Sequence, residues 1–521
     1  MKVAFVFAPF WETKYPPLAP ALLSAVLRDH GHEVVNFDAN REIYSGSSPA
    51  NKSTWEVDKI LDEAVISRCF VGPKGGLIGS LLDRITCSGA KVVCFSIYDA
   101  NRAFSRQIAK AIKARDRSLK IIFGGPACFF SYGALLKDGN VDFVIRGEGE
   151  ETLPELIDCI RKGGGFESCR GIYFRKDKKI LNTGSRAELD DLDKLPFPDF
   201  SGTIGVYKFQ EQVILPIQAS RGCINRCAFC NDKVYSERYR FKSPERIFEE
   251  MIHLRDKYSA NRVVFHDSLL NGNMKMLERL CDLLIEEKLK SAVNRRRSGN
   301  KGADREIVWT GQAIVRPEMD LRVLKKMRQA GCESLQYGIE SGSQRVLKSI
   351  NKNMSTDVAI GVIRDTHNAG ITCLINIMFG LPSEEEEDFQ QTLDFIKKVK
   401  PYVDHVITAK TFCFLSPGSD MDRNPTRYGI TRKHPLYWES GEGKNTYDIR
   451  FERYERCRRF AKKSGLEYDP GIEKMDLIKS LLIGNYLKYK GESAKNCKGF
   501  KKILDKTIFK KYLFNAGSDS D

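Results

Sequence analysis

Five short apolar runs separated by helical stretches open this chain, and that alternation restricts the fold more than any single residue does. The runs are 2–7, Glu33-Val34-Val35-Asn36-Phe37, Lys91-Val92-Val93-Cys94-Phe95-Ser96, 120–123 and 141–145. Between them, Leu18 to Asp29, Leu77 to Ile85, Phe104 to Ala114 and Glu151 to Ile160 carry helical patterning. Short apolar strands alternating with helices indicate a parallel sheet covered on both faces. The first 160 residues are therefore expected to form a doubly wound α/β domain whose ligand sits beyond the carboxyl ends of the strands. The loops at that end are Pro9 to Pro17, Tyr98 to Arg102, Gly124-Gly125-Pro126 and Arg146-Gly147-Glu148-Gly149-Glu150. Glycines there let backbone approach a bulky ligand, although a tight strand-to-helix turn uses the same residues.

The alternation resumes after residue 212. Val213 to Gln218 reads as a strand and Pro244 to Tyr258 as the helix returning from it. Further strand and helix pairs begin at Arg262-Val263-Val264-Phe265, Glu306 to Thr310, Ser334 to Gly338, Thr372 to Phe379 and His405 to Phe412. Six such units predict a partial (β/α)6 TIM-type barrel, whose active residues cluster at the carboxyl ends of strands. There, on the loop after the first barrel strand, lie Cys223, Cys227 and Cys230, spaced C-x3-C-x2-C. Three thiolates on one loop can hold three irons of a cubane and leave the fourth iron open to a substrate. Electron-transfer clusters and structural zinc sites both take four ligands, so a trio argues against both. Other strand ends carry Gly311-Gln312-Ala313, Gly338-Ile339-Glu340-Ser341-Gly342-Ser343 and Phe379-Gly380-Leu381-Pro382-Ser383-Glu384. Asp267 follows the second strand, and no role is assigned to it.

The trio, with Phe229 before its last cysteine, resembles the radical S-adenosylmethionine (SAM) signature. That resemblance implies a 4Fe-4S cluster on Cys223, Cys227 and Cys230, and SAM contacts at Phe229, Gln312, Glu340, Ser341, Gly380 and Leu381. In that family an electron from the cluster breaks the SAM sulfonium to give a 5'-deoxyadenosyl radical. The N-terminal order of motifs, from Pro16-Pro17-Leu18 through His30-Gly31-His32-Glu33-Val34 and Gly124-Gly125-Pro126 to Val144 to Thr152, looks like the Rossmann-like cobalamin-binding domain that precedes the barrel in one large subfamily. The stretch Leu189 to Asp199 is similar to that subfamily's linker. Ser96, Gly124, Gly125, Glu148 and Gly149 are thereby the candidates to cradle cobalamin. The chain departs from cobalamin proteins that ligate cobalt from below, because Ala8 to Pro20 contains no histidine. His30 and His32 lie at the other end of the sheet, where a helix C-terminus favours them.

With 521 residues, two or three domains are expected. The reading is a cobalamin-binding domain at 1–160, a linker at 161–212, a radical SAM barrel at 213–415 and a C-terminal helical cap at 416–521 that helps to choose the substrate. Of the fifteen cysteines only the trio is closely clustered. Free thiols, the absence of a long apolar run and a start without a leader pattern suit a cytoplasmic protein with no transmembrane segment. The net charge of +16 concentrates at Arg295-Arg296-Arg297 to Arg305 and at Lys488 to Lys511; no nucleic-acid module accompanies it, so no specific nucleic acid is expected. Gly517 to Asp521 is expected to be disordered.

The resemblance implies a methyltransferase that moves a methyl group from SAM, via methylcobalamin, to an unactivated carbon of a small-molecule or peptide substrate. An electron donor such as flavodoxin or ferredoxin is implied with it. The alternative is an oxidoreductase, cyclase or ring-rearranging enzyme with the same cofactors. A transfer RNA methylthiotransferase needs a second N-terminal cysteine trio, and Cys69, Cys87 and Cys94 lack that setting. No catalytic side chain is assigned.

Overall fold

The computed structural model describes residues 1–47, 52, 55, 76–137, 139–207, 212–298, 306–408, 413–432, 437–441 and 443–468. Within these residues the chain forms two seven-stranded sheets and two short ribbons. The first sheet contains β1 (Lys2–Val6), β2 (Glu33–Phe37), β3 (Val92–Ser96), β4 (Lys120–Gly124), β5 (Phe143–Ile145), β6 (Ile172–Lys176) and β7 (Lys179–Asn182), in the order β2-β1-β3-β4-β5-β6-β7. The first five strands are parallel, which is the 2-1-3-4-5 doubly wound order, with its switch point between β1 and β3.

Alternation along β1 shows why both faces are covered. Val3 and Phe5 pack with Leu27 of α1 (Leu18–Asp29), while Ala4 and Val6 pack against α3 (Gly76–Thr86) and α4 (Arg102–Arg115) on the opposite face. Helices α2 (Ala39–Gly46), α5 (Cys128–Lys137) and α6 (Gly149–Lys162) complete the layers. Between 161 and 212, where a linker is expected, β6 and β7 form an antiparallel hairpin that extends this sheet beyond β5. The sequence signal for it is faint, because β7 is mostly exposed and lacks an apolar face. Leu192 and Leu195 of the following segment pack on Leu22 of α1.

The second sheet runs β8 (Ile214–Ile217), β9 (Arg262–Phe265), β10 (Val308–Ala313), β11 (Cys332–Glu340), β12 (Thr372–Ile377), β13 (His405–Thr408) and β14 (Glu467–Tyr468), all neighbours parallel. The six expected units are present. A seventh strand joins them: the region 416–468 contains the helix Tyr447–Ser464 and returns β14 beside β13, so it extends the sheet as well as covering it. The largest apolar core lies between this sheet and its helices, with Trp309, Tyr337, Leu335 and Phe389 buried in it. No described helix is long and apolar enough to cross a membrane. The basic stretch at 488–511 and the tail 517–521 lie outside the described residues, as do the side chains of Arg295 to Arg297.

Candidate functional site

Strand β8 ends at Ile217, and the chain then makes a two-stranded antiparallel ribbon, Ser220–Arg221 with Arg240–Phe241, that brackets the cysteine loop. Asp267, left without a role by sequence, fixes the start of that loop. Its buried carboxylate accepts from the Ala219 N–H at 3.1 Å, the Ser220 N–H and the Ser220 hydroxyl at 2.6 Å. The loop is tied further on: Ala228 N–H donates to Ile350 O at 2.8 Å, Asn351 Nδ2 to Arg226 O at 2.8 Å and Met421 N–H to Ala228 O at 3.0 Å. Cys223 and Cys227 are half-buried and Cys230 is exposed. Burial raises the thiol pKa values of Cys223 and Cys227. Backbone N–H groups of Asn225 and Asp232 point at the sulfurs of Cys223 and Cys230, each at 3.4 Å. Among the described residues no three His, Cys, Asp or Glu side chains converge on a single-ion site.

The residues expected near SAM divide into two groups. Gln312 is exposed on β10, Glu340 ends β11, and Gly380 and Leu381 follow β12, so all four lie at carboxyl strand ends. Glu340 pairs with the buried Lys352 at 3.2 Å. Lys352 also faces Cys227 and Cys223 electrostatically and was not singled out from sequence, where nothing marks it. Phe229 and Leu381 share one apolar cluster with Ala228 and Trp438. Ser341, in contrast, is wholly buried with its hydroxyl 3.2 Å from Thr392 Oγ1 and accepting from Ser343 N–H at 3.1 Å. That hydroxyl secures the helix Glu386–Val399 and is not presented to a ligand. Gly380 is among the expected SAM contacts, yet a Cβ there would lie 2.0 Å from Arg450 Cγ, so its open side is filled by an arginine of the C-terminal helix.

Above the switch point of the first sheet is a cavity of about 390 Å³, walled by both halves of the chain. Ser96, Gly124, Gly125, Glu148 and Gly149 all line it, beside Leu18 and Tyr98 from the first half and Arg221, Tyr235 and His266 from the second. Two of the expected cradle residues have other duties. Gly125 (φ +108°) has the backbone of Ile97 where a Cβ would stand, with Ile97 O at 2.8 Å, so the neighbouring loop alone demands glycine. Glu148 has no acceptor capacity left for a ligand: Oε1 takes Arg221 at 2.8 Å and Arg240 at 2.8 Å, and Oε2 takes Arg240 at 3.1 Å and Leu189 N–H at 2.7 Å. Burial alone would raise its pKa, but the bonds from Arg240 and Arg221 outweigh this and hold it below the usual range.

Two family models match the chain, the B12 binding domain over residues 11–157 and the Radical SAM superfamily over 217–396. The first covers the cavity-bearing sheet and the second carries the cysteine loop. The chain thus carries a B12 binding domain followed by a radical SAM domain. An uncharacterized methyltransferase of Pyrococcus horikoshii is 28% identical over 60% of this chain and 64% of its own length. An anaerobic magnesium-protoporphyrin IX monomethyl ester cyclase of Synechocystis is 25% identical over 73% of this chain and 68% of its own. The chain thus spans about two thirds of the length of these curated relatives. Among solved structures, the radical SAM methyltransferase TsrM of Kitasatospora setae, with cobalamin and a [4Fe-4S] cluster bound, superposes with a TM-score of 0.62 at 16% identity, over 83% of this chain and 79% of that one.

The two domains bring a 4Fe-4S cluster, SAM and cobalamin, and the residues present fit them. The cysteine loop offers three thiols and no fourth cysteine. In the cavity, Glu150 Oε2 is buried without a hydrogen-bond partner, an acceptor suited to the amide side chains of a corrinoid. His266, which sequence reasoning passed over, lines the same cavity, with its ring 5.2 Å from that of Tyr15 and its pKa pushed down by burial to about 4. Its only sequence signal is its place just after a strand.

Proposed function

We propose that this B12-binding radical SAM protein is a methyltransferase that uses SAM both as methyl source and as radical source, with Cys223, Cys227 and Cys230 as the cluster ligands. The single observation that carries the reading is the cavity shared by both halves of the chain, with Gly222 and Asp232, which flank the three cysteines in sequence, in its barrel wall. When bound, the cluster, SAM and cobalamin supply one-electron cleavage of a sulfonium and a carrier for methyl. The chain's own residues position and shield. Phe229 and Leu381 give an apolar flank, Gln312 and Glu340 offer polar groups at neighbouring strand ends, and Lys352 keeps a buried positive charge against the cysteines. On the other side Ser96, Gly124 and Gly149 line the cavity for the corrinoid, while Gly125, Glu148, Ser341 and Gly380 act by holding loops and helices in place. We divide the chain into a cobalamin domain ending after the β6–β7 hairpin, a linker to 212, and a barrel that includes the C-terminal helix.

The name of the Pyrococcus relative favours methyl transfer, and that of the Synechocystis relative favours oxidative cyclisation as the second reading. A small-molecule substrate is in keeping with the Radical SAM match. Arg226 and Lys348 line an open hollow beside the cysteine loop, where an acidic electron donor such as flavodoxin or ferredoxin would find complementary charge. A reducing compartment, the cytoplasm, suits the free cysteines. The test is turnover with labelled SAM and candidate substrates. S-adenosylhomocysteine, 5'-deoxyadenosine and labelled product together support methyl transfer; deoxyadenosine with an unlabelled, oxidised product supports the second reading. The ligand assignment is tested separately by counting iron and sulfide after anaerobic reconstitution. Replacing the trio by alanine abolishes the cluster if the assignment holds, and a full cluster in that variant overturns it.

A further inference from the structure

The loop Arg146–Glu150 belongs to the first sheet, yet both of its carboxylates end on arginines of the second half. Arg221 bridges Glu148 and Glu150, and Arg240 takes Glu148 with both terminal nitrogens. These groups are largely withdrawn from water, with side-chain exposures of 12% for Arg221, 14% for Glu148, 9% for Glu150 and 6% for Arg240. Arg221 and Arg240 face each other in the ribbon that brackets the cysteine loop, and Arg221 stands two residues before Cys223. Glu148, Glu150 and Arg221 are at the same time walls of the 390 Å³ cavity. Three of the four clasp side chains therefore wall the cavity, and the fourth, Arg240, pairs with Arg221 in the ribbon that brackets the cysteine loop.

We propose that the clasp makes filling of the cavity and the pose of the cysteine loop a single equilibrium, with Arg221 as the positioning residue. The inference rests on the reading of the cavity as the cobalamin site. Charges buried at this depth move together or not at all, because a shift that parts one of them from its partners leaves it uncompensated. Glu150 Oε2 has no donor, so the clasp is incomplete on the cavity side; a ligand amide placed there fixes Glu150, and through Arg221 fixes the entry to the cysteine loop. Arginine is required because its fork reaches two carboxylates at once, which a lysine ammonium on one flexible stem does not reproduce.

Hydrogen exchange on the full chain, with and without hydroxocobalamin under anaerobic conditions, tests this. In the parent, hydroxocobalamin slows exchange several-fold both in the cavity wall at 147–153 and in the loop 223–231. In Arg221→Lys the wall remains protected and the loop does not respond. Glu148→Gln, which breaks the clasp from outside the cysteine loop, gives the same separation and replaces Arg221→Lys should that variant fail to fold. A parent in which the wall is protected and the loop unchanged overturns the proposal, as does equal loop protection in parent and variants. If hydroxocobalamin protects nothing and does not co-purify with the parent, it is the cobalamin reading that falls, and the proposal with it.

Discussion

At the end of β9, His266 and Asp267 answer burial in opposite senses. Burial pushes His266 down to about 4, against a weaker pull from Glu12, and pushes Asp267 up to about 6. Between pH 6.5 and 4 the unfolded chain protonates its histidine while the folded chain does not, so His266 costs stability as pH falls through that window. Asp267 works the other way, since its folded form takes a proton first, and stability falls as pH rises from about 4 to about 6. The parent's pH profile therefore mixes the two, and the difference between parent and His266→Gln isolates the histidine. We expect the apo variant to gain relative to the parent as pH drops from 7 towards 4, by at most about 3 kcal/mol in urea unfolding. A constant difference across that range contradicts this. Asp267→Ala leaves the Ala219 and Ser220 N–H groups buried and unpaired, for a loss of about 3 kcal/mol at pH 7 and lowered iron uptake, because the loop entry is no longer fixed.

At the scale of elements, the helix Tyr447–Ser464 locks the loop after β12. Arg453 meets the buried Glu384 at 2.8 Å, Glu384 accepts the Gly380 N–H at 3.0 Å, and Arg450 fills the space over Gly380 while its guanidinium lies 4.0 Å from the Trp438 ring centre. Gly380→Ala places a methyl group inside Arg450 at a left-handed backbone position (φ +72°), so a loss of about 3 kcal/mol is expected. Shortening the arginine removes the clash, and the double variant Gly380→Ala with Arg450→Ala should be less destabilised than the sum of the singles. Additive losses in urea unfolding would count against the packing account. This contact also marks the limit of sequence reading. The strand and helix order, the cysteine spacing and the strand-end positions are local patterns, and β1 to β5 and β8 to β13 follow from them. What Gly380, Ser341 and Glu148 do is decided by partners far away in the chain: Glu148 meets Arg221 and Arg240 across 73 and 92 residues. No local pattern carries that information, so a helix-packing serine and a clasp carboxylate both read as ligand contacts. The β6–β7 hairpin escaped notice for a different reason, because a solvent-facing strand shows no apolar alternation.

For the whole molecule, that hairpin decides where the chain can be cut. β6 covers the outer edge of β5 through Phe143↔Phe174, Val144↔Tyr173 and Ile145↔Ile172. A fragment ending at residue 160, the boundary suggested by strand and helix alternation, strips β5 of this cover and bares a row of N–H and C=O groups flanked by Phe143, Val144 and Ile145. Such an edge recruits strands from other copies. β7, by contrast, is an edge made safe by charge: Lys176, Asp177, Lys178 and Lys179 crowd the turn that feeds it. We expect the 1–160 fragment to sediment as aggregates and a 1–187 fragment to remain dispersed under the same conditions, as read by analytical ultracentrifugation. Equal behaviour of the two would mean that the edge is harmless. The hairpin is in this sense a guard against self-association, built from the segment that the sequence presents as a connector.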